Sequence, residues 1–594
     1  MSAQEPRAEY EARLASRSAS HALLGRRDRV VSGLRLLVFG LLVACGIAAW
    51  TFDWLSYGWL ALPAALFVGL VLYHERVIRG RELARRAVAY YTRALARLDG
   101  EWQGRGSQRT DFVSDDHPYA ADLDLFGHGS VFDLLSTAST AEGEETLAGW
   151  LASPAPIDEI RARHPAVDEL RLMLDLREEL ALVGADVPDS ASGSLTSWAS
   201  SPRVIGPSVR VLAWALALAG LGSLAAWILT PVGPLPLVVC LVASIVVHQL
   251  LARRIKRVVA SLERPGRELR VLAGVLERLE GESFTAPRLR ELRDMLTAEG
   301  RRASRAIRKL ESLQSRLDAR RNAFFAPLAY LVMWTVHVVC DIEAWRASAG
   351  SRIPAWLSAV GEIEALSSLA CYAYEHPADP FPALEPEGPL LEADGLGHPL
   401  IAEAECVRNS VHLSAEVPAW VVSGSNMSGK STLLRTLGVN AVLAQAGAPV
   451  RAVSLRLGPC AIGATIRIQD SLHGRTSRFY TEIKRLKQIR DLADGDRPLL
   501  YLLDEIFHGT NSHDRQVGAA ALLREFIGAG AMGLMVTHDL AIAEAAEGFE
   551  GRVRNVHFVD RLEGGKLSFD YTLRDGIVQR SNAIELMRAV GLDV

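Results

Sequence analysis

The nine residues Gly424-Ser425-Asn426-Met427-Ser428-Gly429-Lys430-Ser431-Thr432 constrain this chain more than any other stretch. An apolar run at 419–422 leads into Gly-x-x-x-x-Gly-Lys-Ser, and a Leu-rich run at 433–446 follows. That order predicts a strand, a glycine loop and a helix, and hence an α/β domain that binds phosphate. Glycines at the two ends let successive backbone N–H groups turn inward around phosphate oxygens, while the helix N-terminus adds partial positive charge. Lys430 is placed to reach the β- and γ-phosphates of a nucleotide, and the Ser431 hydroxyl to hold Mg²⁺.

A second apolar run, 499–503, ends in Asp504 and Glu505. Two acids after such a run are common in isolation, but here they follow a phosphate loop. In that context the first acid is expected in the Mg²⁺ shell, and the second is expected to orient and deprotonate the attacking water. A third run, 533–536, leads to Thr537-His538-Asp539. His538 at the tip of a neighbouring strand is a candidate to touch a γ-phosphate. The alternative is that Thr537 or Asp539 caps a helix and His538 is incidental.

The chain has 594 residues, enough for several domains. It is 49% apolar with a mean hydropathy of +0.13, high for a protein in which 23% of residues are charged. The apolar residues are concentrated in pairs of runs. Residues 36–54 and 59–73 form one pair, with Arg26, Arg27, Arg29 and Arg35 before it and Arg76, Arg79, Arg81, Arg85 and Arg86 after it. Trp50, Trp54, Tyr57 and Trp59 cluster at the turn between them. Residues 209–230 and 235–251 form the second pair, turned by Pro231-Val232-Gly233-Pro234 and followed by Arg253, Arg254, Lys256 and Arg257. Arginines at both ends and aromatics at the tip predict two transmembrane hairpins, four spans in all, with everything else in the cytoplasm. The expected location is the inner (cytoplasmic) membrane. A fifth apolar stretch, 328–339, is shorter, carries His337 and reads as a buried core helix.

A net charge of −4 gives no global argument for nucleic acid, although residues 253–321 hold 19 Lys+Arg against 10 Asp+Glu. That local excess fits a polyanion surface and equally fits juxtamembrane arginine with ordinary solvated helix faces. The six cysteines, at 45, 240, 340, 371, 406 and 460, include no Cys-x-x-Cys pair, so neither a zinc site nor a disulfide framework is expected. The expected organisation is a polar arm (1–30), hairpin 1 (31–80), a helical domain (81–207), hairpin 2 (208–252), a second helical part (253–376), a Pro-rich linker (377–389) and the α/β domain (390–594).

The Asn426-Met427 pair inside the glycine loop resembles that of MutS proteins. The segment from Asp504-Glu505 through His508-Gly509-Thr510-Asn511-Ser512 is similar to that family's acidic strand and following loop. Gly463-Ala464 through Ser477 and Glu482 resembles its signature segment. Further upstream, Gly129 to Pro154 resembles the start of the family's helical core, and Glu362 to Leu369 with His398-Pro399-Leu400 resembles its return to the ATPase. The resemblance implies an ABC-type ATPase domain after an all-α core, using ATP and Mg²⁺, with nucleotide lying between the two protomers of a homodimer. It implies that Ser477 of one subunit approaches the γ-phosphate bound by Lys430 of the other, and it makes Tyr571 the candidate for stacking on adenine. Its name points to DNA mismatch repair and DNA binding. This chain, however, has a membrane hairpin where repair-type members carry a mismatch-reading domain, and no Phe-x-Glu tripeptide stands before the core. A membrane-anchored ATPase acting on DNA or on a protein partner is one reading. An ABC-type transport or membrane-complex ATPase without DNA binding is the other.

Overall fold

In a computed structural model of the chain, residues 4–51, 57–112, 114, 116–184, 192–260, 266–298, 302–319, 325–386, 388–466, 478–507, 510–563 and 566–578 are described. Helices make up the chain as far as Glu375, and two sheets dominate beyond it. The larger sheet has six strands in the order Arg574–Asp575, Val553–His557, Ala419–Ser423, Met532–Thr537, Leu499–Asp504, Ala461–Thr465. The first pair is antiparallel and the other four are parallel. Leu499–Asp504 and Met532–Thr537 are buried at every position. Strands covered on both faces read as continuous apolar runs rather than as alternation. Gly533 lets the two approach, since a Cβ there would lie 2.0 Å from the Tyr501 carbonyl oxygen.

A smaller four-stranded sheet has the order Ala383–Leu384, Ser454–Leu457, Leu391–Leu396, Asn409–Leu413. Its first strand lies within the Pro-rich 377–389 segment. That segment is therefore structured as a sheet edge, where prolines are tolerated because an edge strand needs fewer N–H donors.

The Lys430–Ala446 helix joins the sheet to the helical body. A Cβ at Gly438 would lie 2.5 Å from Leu123 of the helical body and 2.7 Å from Leu502 of the sheet. One continuous apolar core runs through both parts. Arg163 reinforces the junction: it is 2% exposed, lies 3.7 Å above the Trp150 ring and donates to the Ala446 carbonyl at 2.9 Å.

Among the described residues, four helices are long and apolar enough to cross a membrane, by length and composition. Gln4–Thr51 pairs with Ala61–Leu98, and Pro207–Leu229 with Leu235–Ala260. Their outward positions are apolar, with Leu36, Trp50, Leu229 and Leu250 each more than 70% exposed. Residues 1–30, expected as a separate arm, have no boundary at their end: one helix carries the polar residues from Gln4 straight into the apolar run, because nothing between them breaks a helix. Tyr10, Tyr91 and Tyr374 bury the base of this first hairpin against the Ile353–Glu375 helix. There Arg97 donates to Glu375 through Nε at 2.9 Å and Nη2 at 2.6 Å.

The 328–339 stretch corrects the expectation of one buried core helix. It is split by Met333, which has φ +50, into Ala326–Leu331 and Trp334–Ala349. The first piece packs beside the second hairpin and leaves Leu328 and Tyr330 over 40% exposed. Two arginines of the 253–321 stretch pair with acids outside it, Arg288 with Glu362 at 2.5 Å and Arg278 with Glu179, while Arg270–Glu311 at 2.8 Å and Arg308–Glu277 are exposed pairs within it.

Candidate nucleotide site

The site forms at the ends of three adjacent parallel strands. Ser423 is registered against Thr537, and Asp504 against Val536, so the glycine loop, the acid pair and His538 emerge side by side. The loop turns through left-handed conformations at Gly424 (φ +151), Met427 (φ +67) and Gly429 (φ +100). Such alternation aims neighbouring N–H groups into one concavity. Asn426 and Met427 point outward, Met427 being 85% exposed. Ser425 and Ser428 turn their hydroxyl oxygens inward, where neither has a hydrogen-bond partner among the described residues.

Lys430, at the first turn of its helix, is 5% exposed and donates to the carbonyls of Gly424 at 3.0 Å and Ser425 at 2.7 Å. Burial pushes its ammonium below the usual lysine range, against the pull of Glu505 and Asp504. Glu505 Oε1 lies 3.9 Å from Lys430 Nζ and 3.6 Å from His538 Nδ1. Burial raises the Asp504 carboxyl above the usual range, with the Glu505 charge adding to the rise and a Ser431 hydrogen bond and Lys430 opposing it. Its Oδ1 is buried and has no hydrogen-bond partner among the described residues.

A divalent cation fits this donor set. Hard oxygen ligands suit Mg²⁺, and the buried Asp504 oxygen and the Ser431 hydroxyl are side by side. Lys430, Asp504, Glu505 and His538 are thus brought together with the loop. Thr537 Oγ1 accepts from the Asp539 N–H at 3.0 Å and Asp539 caps the next helix, while His538 reaches toward Glu505. Thr432 lies on the exposed side of the helix start. Tyr571 (φ +52, 43% exposed) lays its ring beside Gly429, where a Cβ would meet Tyr571 Cδ1 at 3.1 Å. Ser477 lies outside the described residues.

Two features went unread in the sequence. Asn409 pins the Tyr571 loop, donating to its carbonyl at 3.0 Å and accepting from the Leu573 N–H at 2.8 Å. Asp122 of the helical body accepts from the Ile466 N–H at 2.6 Å and from Arg485 at 2.9 Å, clamping the segment on either side of 467–477. Neither residue carries a local motif, so no pattern along the chain singles them out.

The family model of MutS domain V matches residues 420–593. The chain is 32% identical over 252 residues to the DNA mismatch repair protein MutS of Natronomonas pharaonis, covering 41% of this chain and 28% of that protein. It is 31% identical over 240 residues to the DNA mismatch repair protein MutS of Thermotoga petrophila, covering 39% and 29%. It is 32% identical over 196 residues to the endonuclease MutS2 of Thermus thermophilus, covering 33% and 25%. The match thus spans less than a third of the length of each of these relatives. Residues 420–593, with the glycine loop and acid pair just described lying inside them, are thus a domain V of the MutS family.

Proposed function

We propose that this protein is a membrane-anchored, Mg²⁺-dependent ATP hydrolase that works as a homodimer and couples nucleotide turnover to a change in its helical body. The observation that carries the reading is the convergence of Lys430, Asp504, Glu505 and His538 on one concave glycine loop. Lys430 balances charge on the β- and γ-phosphates, and its two carbonyl contacts keep the ammonium inside the loop until phosphate oxygens replace them. Ser431 and Asp504 hold Mg²⁺, which supplies charge neutralisation at the phosphates. Glu505 orients water and accepts its proton, with His538 beside it to contact the γ-phosphate. Tyr571, beside the loop, offers a face for adenine. Ser477 is assigned to the partner's nucleotide on family resemblance.

The two apolar hairpins support a multi-pass anchor in the cytoplasmic membrane, since exposed leucines and tryptophans along paired helices have no stable place in water. The proposed target is DNA or a protein partner at the membrane surface. Full-length protein in detergent is expected to hydrolyse ATP with Mg²⁺, and Lys430→Ala to lose nucleotide binding and turnover together. Undiminished turnover in Lys430→Ala would remove the phosphate loop from the mechanism. Binding to duplex, mismatched and branched DNA across a salt series separates the two targets, since phosphate contacts weaken steeply with salt.

A further inference from the structure

The peptide between Ile506 and Phe507, just past Glu505, is held by Glu482, which ends the signature-like segment and to which the resemblance assigns no role. Glu505 has φ +46 and Phe507 has φ +63, two left-handed residues within three positions. Side chains in that region are strained and persist only where neighbours over-determine them. Three contacts do so here. The Glu505 N–H donates to the Val536 carbonyl at 3.1 Å, and the Phe507 ring closes over Gly518, where a Cβ would meet it at 3.2 Å. The Phe507 N–H donates to Glu482 Oε1. Glu482 is 4% exposed and sits in the Arg478–Leu492 helix, which starts one residue after Ser477. One turn further on, Arg485 binds Asp122 at 2.9 Å and the His117 carbonyl at 2.8 Å in the helical body. A single helix therefore touches the helical body with Arg485 and the Glu505 loop with Glu482.

We infer that Glu482 is a positioning residue for the water-activating Glu505. This rests on the ATPase reading above. By accepting from Phe507, Glu482 fixes the left-handed turn that aims the Glu505 carboxylate at Lys430 and His538. Movement of its helix, driven from the helical body through Arg485, then alters that aim. A charge-assisted acceptor at a buried N–H is stronger than a neutral one. The neutral amide oxygen of glutamine still satisfies the same donor.

The test measures steady-state ATP turnover and binding of a fluorescent ATP analogue with full-length protein in detergent. Glu482→Ala is expected to lower kcat about tenfold or more, with analogue affinity and KM within about twofold of wild type. Glu482→Gln is expected to keep kcat within about threefold of wild type. In a Glu505→Gln background, adding Glu482→Ala is expected to lower the residual rate no further, because a residue acting through another is non-additive with it. Wild-type kcat in Glu482→Ala, a multiplicative loss in the double variant, or equal losses in the alanine and glutamine variants would each overturn the assignment. A wild-type protein that turns over no ATP would overturn the ATPase reading itself. That outcome is distinct from an active wild type whose rate ignores Glu482.

Discussion

Two carboxylates, Glu375 at the foot of the first hairpin and Asp504 at the mouth of the large sheet, are both less than 10% exposed, yet their surroundings differ in kind. Glu375 takes Arg97 on both oxygens and is also contacted by Tyr10 Oη at 3.3 Å and Cys371 Sγ at 3.4 Å. Burial alone would raise its carboxyl, but the Arg97 charge and hydrogen bonds outweigh it and hold the group below the usual range. At Asp504 burial wins, and the group stays raised with one oxygen unclaimed by the described residues. A buried charge whose oxygens are all satisfied within the fold is architecture. One raised by burial and left with a spare acceptor costs stability, and sites that bind cations tolerate that cost.

The largest expected effect breaks the satisfied side of this comparison. Arg97→Ala leaves Glu375 buried without its cation and is expected to cost about 3–5 kcal/mol, read as a lower thermal midpoint in detergent. A midpoint within a degree of wild type would show that the hairpin foot is not braced by this pair. Smaller and opposite in sign, Asp504→Asn is expected to raise the stability of nucleotide-free protein by roughly 1 kcal/mol while abolishing Mg²⁺-dependent turnover. If that variant is less stable, Asp504 is as structural as Glu375 and the contrast fails.

The smallest effect is in pH. Glu375 has a depressed folded-state pKa, so its contribution is complete above the ordinary glutamate range and is lost as pH falls through the folded value. Asp504 is raised, so the folded state holds its proton more tightly than the unfolded chain does. Its penalty grows as pH rises from about 3.9, the unfolded value, through the folded value, and is complete above it. The gain from Asp504→Asn should therefore shrink on acidification below the folded value, and the loss from Glu375→Gln should shrink only at still lower pH. Parallel pH curves for the two variants would refute the opposite signs.

How much was legible follows from how local each feature is. The glycine loop, the run ending in Asp504-Glu505 and the four apolar helices are contiguous patterns, and each appears where its residues place it. The 328–339 stretch was misread because apolarity alone does not register a break such as the left-handed Met333, nor the hairpin beside which the first half lies. The arginine excess of 253–321 was ambiguous for a related reason. Which glutamates face those arginines depends on helix packing, as in Arg288 with Glu362 across 74 positions.

By itself the sequence determined that a glycine loop opens a helix, that an acid pair ends a buried strand and that two apolar hairpins punctuate a helical chain. Those are short-range properties, set by φ/ψ preference and by runs of like residues. Only the tertiary structure decided that Asp504 and Glu505 stand beside Lys430, that Glu482 reaches Phe507 across 25 positions, and that Arg97 meets Glu375 across 278. Strand order and helix docking are chosen by the packing of three apolar clusters, one of them running through sheet and helical body alike, and that choice is made by surfaces distant in the chain rather than by any local pattern.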